Sequence, residues 1–424
     1  MRIVQFNNKF TGTGAERVMK NLGQHLSRQG NEVSFATYED CGPKGPYRIS
    51  NPTTKAIALA QSFEISNRKA GVDLELFEDP NKSIVKRAGI NLRNLVPMLD
   101  PITRKSVNQM LDKTDPDIVH CHNILPSLAP IVESKRRGIP VVVSLHGYWP
   151  VCPLANRFQV RTKKICEETD WSACRRNCSS QFSSIEGSMK KLQNTIIENV
   201  DFIVCVSNYV QERLLDYGYP KESLGVIHNG INVNEFRPTG DPSNDYLFHA
   251  GRLSRHKGSH VLFDAANKLR SSIPDIELRM VGTGMGNDQM RIAENIDYLG
   301  WVTDAELVRL YSNSLCTIIP SIWPEPHPLT TLEAMACGTP VIGTRISGIE
   351  ESIEDGVTGY LIEIGEYKDM SKQIADRIEE LYTDPILRAE MGIRARERVL
   401  EYFNEERMVN EYLDVYRKLL RTGG

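Results

Sequence analysis

Residues 320–343 restrict the fold of this chain most, because they combine a strand end, a proline-rich loop, a short helix and the start of another strand. Leu315–Ile319 is a β-prone apolar run, and the prolines that follow at alternate positions hold the loop extended. Apolar residues then recur at helical spacing until Gly338, which suits the position just after a helix, and Pro340 forbids continuation. Strands that alternate with helices along the chain predict an α/β fold with parallel sheets.

The start of this short helix is a candidate ligand site. The helix should begin around Pro328, Leu329 and Thr330, and its first N–H groups attract an anion beyond the end of the preceding strand. Glu325 and Glu333 flank that position, where a carboxylate is costly unless a cation or a hydroxyl binds it. A sugar nucleotide offers its diphosphate to the N–H groups and its hydroxyls to the carboxylates. The alternative is a surface helix with ordinary acidic residues.

The composition is that of an ordinary globular protein with room for two domains. The chain has 424 residues, of which 40% are hydrophobic and 25% charged. We find no apolar run near the roughly 20 residues of a membrane span, and the chain opens on a strand-like segment rather than a secretory signal. We therefore expect a cytoplasmic protein.

The net charge of −3 conceals two halves of opposite sign. Residues 1–200 hold 28 Lys and Arg against 19 Asp and Glu, a net charge of +9, which leaves 51 − 28 = 23 bases against 54 − 19 = 35 acids in the remainder. The basic half predicts an anionic partner, either a phosphate-bearing acceptor or an anionic membrane surface at the inner face of the membrane. A merely solvated surface is the alternative. We expect no nucleic acid, because neither a basic run with interleaved aromatic residues nor zinc-finger spacing is present.

The first half contains two further candidate ligand sites. A strand at Arg2–Phe6 precedes a loop in which Gly12 and Gly14 let the backbone approach a phosphate, although Arg17 replaces the third glycine of a dinucleotide fingerprint. The strand in residues 141–145 is followed by His146, at the strand end where ligands bind in open parallel sheets. A structural role is the alternative for an isolated histidine, and His122, after the preceding strand, is a weaker candidate.

Residues 40–110 carry a basic stretch that could form an amphipathic helix at a membrane surface or a plain solvated helix face. Its cations are Lys82, Lys86, Arg87, Arg93, Arg104 and Lys105. The nearby Asp115-Pro-Asp117 has the spacing of a metal-binding acid pair. We interpret these acids as turn residues, because Pro116 ends a helix and a buried strand follows.

Residues 149–180 form an insertion with four of the nine cysteines, Cys152, Cys166, Cys174 and Cys178. Clustered thiols in a cytosolic chain suggest a metal, and zinc would suit four thiolates. Free structural thiols and a redox role are the alternatives, because only Cys174 and Cys178 have the spacing of a chelating pair. The insertion is also basic and could contribute to an acceptor site.

The second half opens with a strand and a turn in the segment Gly251-Arg-Leu-Ser-Arg-His-Lys-Gly258. Arg252 and Lys257 flank this turn just before a helix, a position that favours a bound diphosphate, although surface bases would look the same. Gly282 begins another loop that allows close approach of a ligand, and Val302 follows a further strand.

These motifs together resemble family 4 of the retaining glycosyltransferases, a family with the GT-B fold. The resemblance rests on Glu325-x7-Glu333 with Ala-Met-Ala-Cys-Gly-Thr-Pro-Val-Ile after it, and on Gly-Arg-Leu-x-x-x-Lys-Gly at 251–258. It implies that Glu325 lies at the donor sugar and that Glu333 binds the ribose. Pro326 and Pro328 stand where that family usually has glycines.

The resemblance also implies roles for the other candidates. Arg252 and Lys257 would clamp the donor diphosphate in place of a metal ion, so catalysis would need no cofactor. The segment Gly14-Ala15-Glu16 would lie over the pyrophosphate, His146 would face the donor sugar, and the loops at Gly282 and Val302 would bracket the base.

The predicted architecture is therefore α/β of the GT-B type, with two Rossmann-like domains whose parallel sheets face a central cleft. We predict an acceptor-side domain at 1–228, a linker at 229–245, a nucleotide-sugar domain at 246–402 and a final helix at 403–424 that crosses back to the first domain. The expected reaction moves a glycosyl unit, with retention, from a UDP or GDP sugar to a saccharide or lipid-linked acceptor in polysaccharide or glycolipid synthesis. The alternatives are a sugar-nucleotide epimerase or hydrolase and a non-catalytic nucleotide-sugar binder.

Overall fold

The computed structural model describes residues 1–8, 14–38, 47–48, 101–124, 127–179, 182, 185–239, 246–283 and 295–422. The chain divides into two compact units, one of Met1–Ile227 with Val409–Gly424 and one of His228–Met408. The predicted Gly12 and the basic residues 82–93 lie outside the described residues. No helix in the described ranges is both long and apolar enough to cross a membrane.

The first unit contains a seven-stranded sheet in the order β3-β2-β1-β4-β5-β6-β7, with parallel pairing throughout. Its central strands are short apolar runs that are buried along their whole length, as a sheet covered on both faces requires. The strands are β1 (Arg2–Asn7), β2 (Glu32–Thr37), β3 (Tyr47–Arg48), β4 (Ile118–Cys121), β5 (Val141–Leu145), β6 (Phe202–Cys205) and β7 (Leu224–Val226).

The helices of the first unit connect these strands, and part of the last helix of the chain belongs to it. They are α1 (Ala15–Arg28), α2 (Pro101–Thr114), α3 (Ala129–Arg136), α4 (Cys174–Asn177), α5 (Ile185–Asn199) and α6 (Asn208–Asp216). The final helix, Glu405–Thr422, places the buried Tyr412 hydroxyl 2.7 Å from Ser144 Oγ in β5. The Tyr416 hydroxyl lies 2.6 Å from Nδ1 of His120 in β4. This helix thereby completes the core of the first unit.

The second unit contains a six-stranded parallel sheet in the order β10-β9-β8-β11-β12-β13. Its strands are β8 (Tyr246–Ala250), β9 (Glu277–Val281), β10 (Ile296–Gly300), β11 (Cys316–Ile319), β12 (Val341–Thr344) and β13 (Gly359–Ile362). Its helices are α7 (Ser259–Leu269), α8 (Asp304–Ser312), α9 (Leu329–Ala336), α10 (Ser347–Ser352), α11 (Tyr367–Thr383) and α12 (Pro385–Tyr402), followed by α13 (Glu405–Thr422), which runs on into the first unit.

Both sheets reverse their strand order beside their first strand, and this reversal positions the candidate sites. In the second unit β8 pairs with β9 on one side and with β11 on the other, so the helices after β8 and β11 leave toward opposite faces. Ligands bind at such a switch point, beyond the carboxyl ends of the strands. The turn after β8 carries Lys257 and the loop after β11 carries Glu325, which the sequence separates by 68 residues.

The predicted α/β architecture with two parallel sheets is confirmed, and several predicted elements match closely. Helix α9 ends just before Gly338, which adopts a φ of +77°, as predicted for the position after a helix. The unit boundaries differ from the predicted domains in two places. His228, predicted as the end of the first domain, and residues 229–239 of the predicted linker group with the second unit, where the Asn229 amide donates to the His327 carbonyl at 2.8 Å. The start of the last helix, up to Met408, also groups with the second unit.

Candidate active site

The turn after β8 holds Lys257 against the end of β11. A short 3-10 turn at Arg255–Lys257 ends on Gly258, whose φ is +76°. A Cβ atom on Gly258 would lie 1.8 Å from the carbonyl oxygen of Pro320, so only glycine allows the two backbones this close. The approach brings the Lys257 side chain to the loop that carries Glu325.

Glu325 is buried, and three donors converge on one of its oxygens. Lys257 Nζ forms an ion pair with Oε1, Ser321 Oγ donates to it at 2.7 Å and Trp323 Nε1 at 3.0 Å. The Lys257 ammonium also lies 5.1 Å from the centre of the Trp323 ring, a cation–π distance. No hydrogen bond from a described residue reaches Oε2. The carboxylate is therefore held rigidly through one oxygen, while the other can accept a ligand hydroxyl.

Arg252 differs from Lys257, because its side chain is exposed and makes no hydrogen bond or ion pair with any residue that the structure describes. Nearby, the ends of β8 and β9 lie in close contact. A Cβ atom on Gly282 would lie 2.0 Å from the Gly251 carbonyl oxygen. Glycine at 282 therefore allows the backbones after β8 and β9 to lie in contact. Arg252 follows directly after Gly251 at this contact, and its exposed guanidinium is available to an anion.

Glu333 and the start of α9 form the second part of the site. The hydroxyl of Tyr311 donates to Glu333 Oε2 at 3.0 Å, and both residues are buried. Pro328 precedes α9 without capping it through its side chain. The first N–H groups of α9, around Leu329 and Thr330, have no side-chain cap at this position, and the first N–H groups of a helix have no partner within the helix itself. An anion binds well at such a position.

The remaining predicted residue of this unit, Val302, lies just after β10 and is partly buried.

One residue of β8 close to the candidate site was not predicted from the sequence. His249 in β8 is buried and donates from Nδ1 to the Ile318 carbonyl at 2.8 Å, and burial lowers its pKa. It is therefore a neutral imidazole beneath the site rather than a third cation.

In the first unit His146 lies at the carboxyl end of β5 and contacts a second histidine. His146 Nε2 is 3.0 Å from His122 Nδ1, and the two rings are stacked with their centres 5.3 Å apart. His122 Nε2 in turn lies 3.2 Å from Gln5 Oε1. Burial lowers the pKa of His146 to about 4 and that of His122 well below its usual range. Both rings are therefore neutral, and His122 orients His146 rather than acting beside it.

Gly14 has a φ of +68° and immediately precedes α1, so the described end of the predicted phosphate loop has the conformation that glycine favours.

The acid pair at Asp115 and Asp117 is a turn, as predicted. The Arg2 amide donates to Asp117 Oδ2 at 2.7 Å, and the Arg2 guanidinium donates to Asp117 Oδ1 at 3.1 Å.

Four residues that position the candidate groups were not predicted from the sequence. Ser321 and Trp323 stand within four residues of Glu325, so their side chains could have been considered from spacing alone. Tyr311 lies 22 residues before Glu333, and no local signal links the two. His120 lies within a buried strand, where no sequence pattern distinguishes it, and its ring centre is 4.1 Å from that of His122.

The fold is shared with solved glycosyltransferase structures over nearly the whole chain. Sucrose-phosphate synthase from Thermosynechococcus elongatus aligns with a TM-score of 0.69 at 19% identity, covering 99% of both chains. Anabaena HepE in complex with UDP-glucose aligns with a TM-score of 0.66 at 16% identity, covering 98% of this chain and 99% of that one. Two parallel α/β units with this topology and this charged site define a GT-B glycosyltransferase, which transfers a sugar to an acceptor.

Sequence comparison assigns the family. The model of Glycosyltransferase Family 4 matches residues 12–235, and that of Glycosyl transferases group 1 matches residues 233–398. The chain belongs to Glycosyltransferase Family 4. N-acetyl-alpha-D-glucosaminyl L-malate synthase from Bacillus anthracis is 30% identical, covering 77% of this chain and 81% of its own. D-inositol 3-phosphate glycosyltransferase from Pseudarthrobacter chlorophenolicus is 28% identical, covering 74% and 72%.

Proposed function

We propose that this enzyme transfers a hexosyl unit from a nucleoside diphosphate sugar, with UDP as the favoured nucleotide, to an acceptor hydroxyl with retention of anomeric configuration. The observation that carries the proposal is the group formed by Lys257, Glu325 and the start of α9 at the switch point of the second sheet. It combines a fixed cation, helix N–H groups without a side-chain cap and a carboxylate oxygen that accepts no hydrogen bond from a described residue. A sugar diphosphate matches each of these features chemically.

The same group supplies the electrostatics of the reaction. In the proposed step the bond between carbon-1 of the sugar and the diphosphate oxygen breaks, and a bond from carbon-1 to the acceptor oxygen forms on the same face. The acceptor proton passes to the departing phosphate. Lys257, Arg252 and the α9 amides stabilise the negative charge that develops on the diphosphate, so we propose that catalysis proceeds without a metal ion. Glu325 positions the sugar, and Glu333 binds the ribose.

The charge of the first half of the chain bears on the acceptor. Residues 1–200 carry the net charge of +9, and the names of the two relatives specify acceptors with anionic groups, inositol 3-phosphate and L-malate. We therefore propose a hydroxyl acceptor that carries a phosphate or carboxylate, either a small molecule or a saccharide that is free or linked to an anionic lipid at a membrane surface.

The experiment is a two-dimensional screen of purified full-length protein. UDP-glucose, UDP-N-acetylglucosamine and GDP-mannose are each incubated with inositol phosphate, malate, free saccharides and lipid-linked saccharides, and products are identified by mass spectrometry. The anomeric configuration of any product is then read by proton NMR. An α-linked product from an α-linked donor supports the proposal, and a β-linked product overturns retention. Release of free sugar that is equally fast without any acceptor would instead indicate a hydrolase.

A further inference from the structure

The predicted zinc site at Cys152, Cys166, Cys174 and Cys178 is not formed by the side chains that the structure describes. All four cysteines are free, and no three His, Cys, Asp or Glu residues in the described ranges are arranged to hold a metal ion. Connected polar side chains of the first unit lie instead on one face of its sheet.

A line of polar side chains follows this face from β1 to the end of β5. Gln5 in β1 pairs in parallel register with His120 in β4, and His122 follows two residues later, so the three side chains point to the same face. His146 comes two residues after Ser144, whose Oγ lies 2.8 Å from His120 Nε2. Gln5 and His122 are fully buried, whereas His146 is partly exposed. The line therefore runs from the interior of the unit to its surface.

Two hydrogen bonds connect three members of this line. His122 Nε2 lies 3.2 Å from Gln5 Oε1, and His122 Nδ1 lies 3.0 Å from His146 Nε2. His146 Nδ1 makes no hydrogen bond to any residue in the parts of the chain that the structure describes. The order is therefore an amide, a first imidazole, a second imidazole and then an open ring nitrogen.

The amide oxygen of Gln5 fixes the direction of both hydrogen bonds. Burial lowers the pKa of His122 well below its usual range and that of His146 to about 4, so each neutral ring has one donor nitrogen and one acceptor nitrogen. A carbonyl oxygen only accepts, so His122 carries its proton on Nε2 and has a lone pair at Nδ1. That lone pair requires a proton on His146 Nε2. His146 Nδ1 is then a hydrogen-bond acceptor.

Rotation of the Gln5 amide would reverse this line, because its nitrogen would then donate to His122 Nε2 and both rings would carry their protons on Nδ1. In the structure the oxygen faces His122, and Gln5 Nε2 makes no hydrogen bond. This orientation gives both rings a proton on Nε2, which is the form that neutral histidine prefers in water. The hydrogen bond and the intrinsic preference of the rings therefore favour the same tautomer.

We propose that Gln5 is a positioning residue, which acts through His122 to hold His146 in the tautomer protonated at Nε2, so that His146 Nδ1 accepts a hydrogen bond from a substrate hydroxyl at the carboxyl end of β5. The ligand class is a saccharide or another polyol, whose hydroxyl groups donate to such a nitrogen. The inference rests on the proposed function only for the nature of the ligand, because the tautomer is a property of the unliganded protein.

The first measurement requires neither activity nor a folded variant of Gln5. Full-length wild-type protein is labelled with 15N-histidine, and the protonation of each ring nitrogen is read from two-bond 1H–15N NMR correlations near pH 7.5. The signals of His146 are assigned by their loss in His146→Asn. The expected result is a proton on His146 Nε2 and none on Nδ1. A proton on Nδ1, or exchange between the two tautomers, overturns the proposal.

Gln5→Leu tests the role of the amide. A proton left on His122 Nε2 would be buried without an acceptor, so it should move to Nδ1 and force His146 into the other tautomer. Gln193→Leu is the matched control, because this buried glutamine of α5 donates to the Tyr217 carbonyl and its Oε1 has no partner. Both variants should lose stability in urea, whereas only Gln5→Leu should change the His146 signals. Unchanged His146 signals in Gln5→Leu overturn the role of Gln5.

Kinetics with a donor and acceptor identified by the screen connect the tautomer to the reaction. Gln5→Leu should lower kcat/KM by about 5-fold, the scale of one neutral hydrogen bond, mainly through KM. The substrate whose KM rises, donor or acceptor, is the one that supplies the hydroxyl. Gln193→Leu should keep its kcat/KM, and an equal kcat/KM in the two variants overturns the hydroxyl contact. A screen without any transfer product would contradict the proposed function and leave the NMR test of His146 intact.

Discussion

The Tyr311 hydroxyl donates a 3.0 Å hydrogen bond to Oε2 of Glu333, and both side chains are buried. The bond joins helix α8 to helix α9 and fixes the carboxylate that we assign to the ribose. Because the ribose would meet a carboxylate that is already oriented, little conformational freedom is lost when the donor binds.

Tyr311→Phe is expected to weaken donor binding and to lower stability by about 1–3 kcal/mol, because a buried carboxylate loses a donor. The measurements are UDP titration by calorimetry and urea unfolding. Tyr246→Phe is the matched control, since its hydroxyl donates to the Leu310 carbonyl at 2.8 Å away from the carboxylates. The control should lose stability and keep its affinity for UDP. Equal UDP affinities in wild type and Tyr311→Phe would contradict this role for Glu333.

Lys257→Ala should reduce turnover by about 100-fold, the scale of losing one group that stabilises charge in the transition state. The substitution also removes the ion pair that holds Glu325. Steady-state rates with a donor and acceptor identified by the screen provide the measurement, and Lys268→Ala, on the exposed side of α7, is the control.

Glu333→Ala should mainly weaken donor binding. Unchanged kinetics in both Lys257→Ala and Glu333→Ala would refute the assignment of the site.

Gly258→Ala should disrupt the second unit far more than Gly218→Ala. Both glycines have positive φ values, +76° and +80°, so the backbone strain of an alanine is similar at the two positions. A Cβ atom on Gly258 would meet the Pro320 carbonyl oxygen at 1.8 Å, whereas one on Gly218 would meet nothing within 4 Å. Thermal unfolding and UDP titration test the difference. Gly218→Ala should retain UDP binding, and equal effects of the two substitutions would show that the close approach does not position Lys257.

Stability should fall as the pH decreases from about 6.5 to 5. Burial lowers the pKa of His120 to about 3 and that of His146 to about 4, while both titrate near 6.5 in the unfolded chain. The unfolded state therefore binds more protons in this window, so the free energy of unfolding rises with pH, by up to about 1.4 kcal/mol per pH unit for each histidine. Urea unfolding between pH 5 and 7.5 measures the slope, and His146→Asn should reduce it. A flat profile would contradict neutral, buried imidazoles.

The sequence allowed the sheets and the charged residues of the site to be predicted, because both depend on local patterns. Apolar runs such as residues 141–145 mark buried parallel strands, and ligand residues of such sheets follow the strand ends. Lys257 and Glu325 were each recognised in this way, although their ion pair joins residues 68 apart.

The supporting contacts could not be predicted, because they depend on how distant elements pack. Tyr416 contacts His120 across 296 residues, and Tyr412 contacts Ser144 across 268. The final helix at 403–424 was predicted, but the sequence does not specify which strand its tyrosines contact. For the same reason periodicity does not specify that the helix divides between the two units at Met408.

The most direct test of the central claim is a crystal structure of the full-length protein with UDP. We expect the diphosphate within hydrogen-bonding distance of Lys257 Nζ, the Arg252 guanidinium and the first amides of α9, with a ribose hydroxyl on Glu333. A nucleotide bound elsewhere, or none bound in crystals soaked with UDP or GDP, would contradict it.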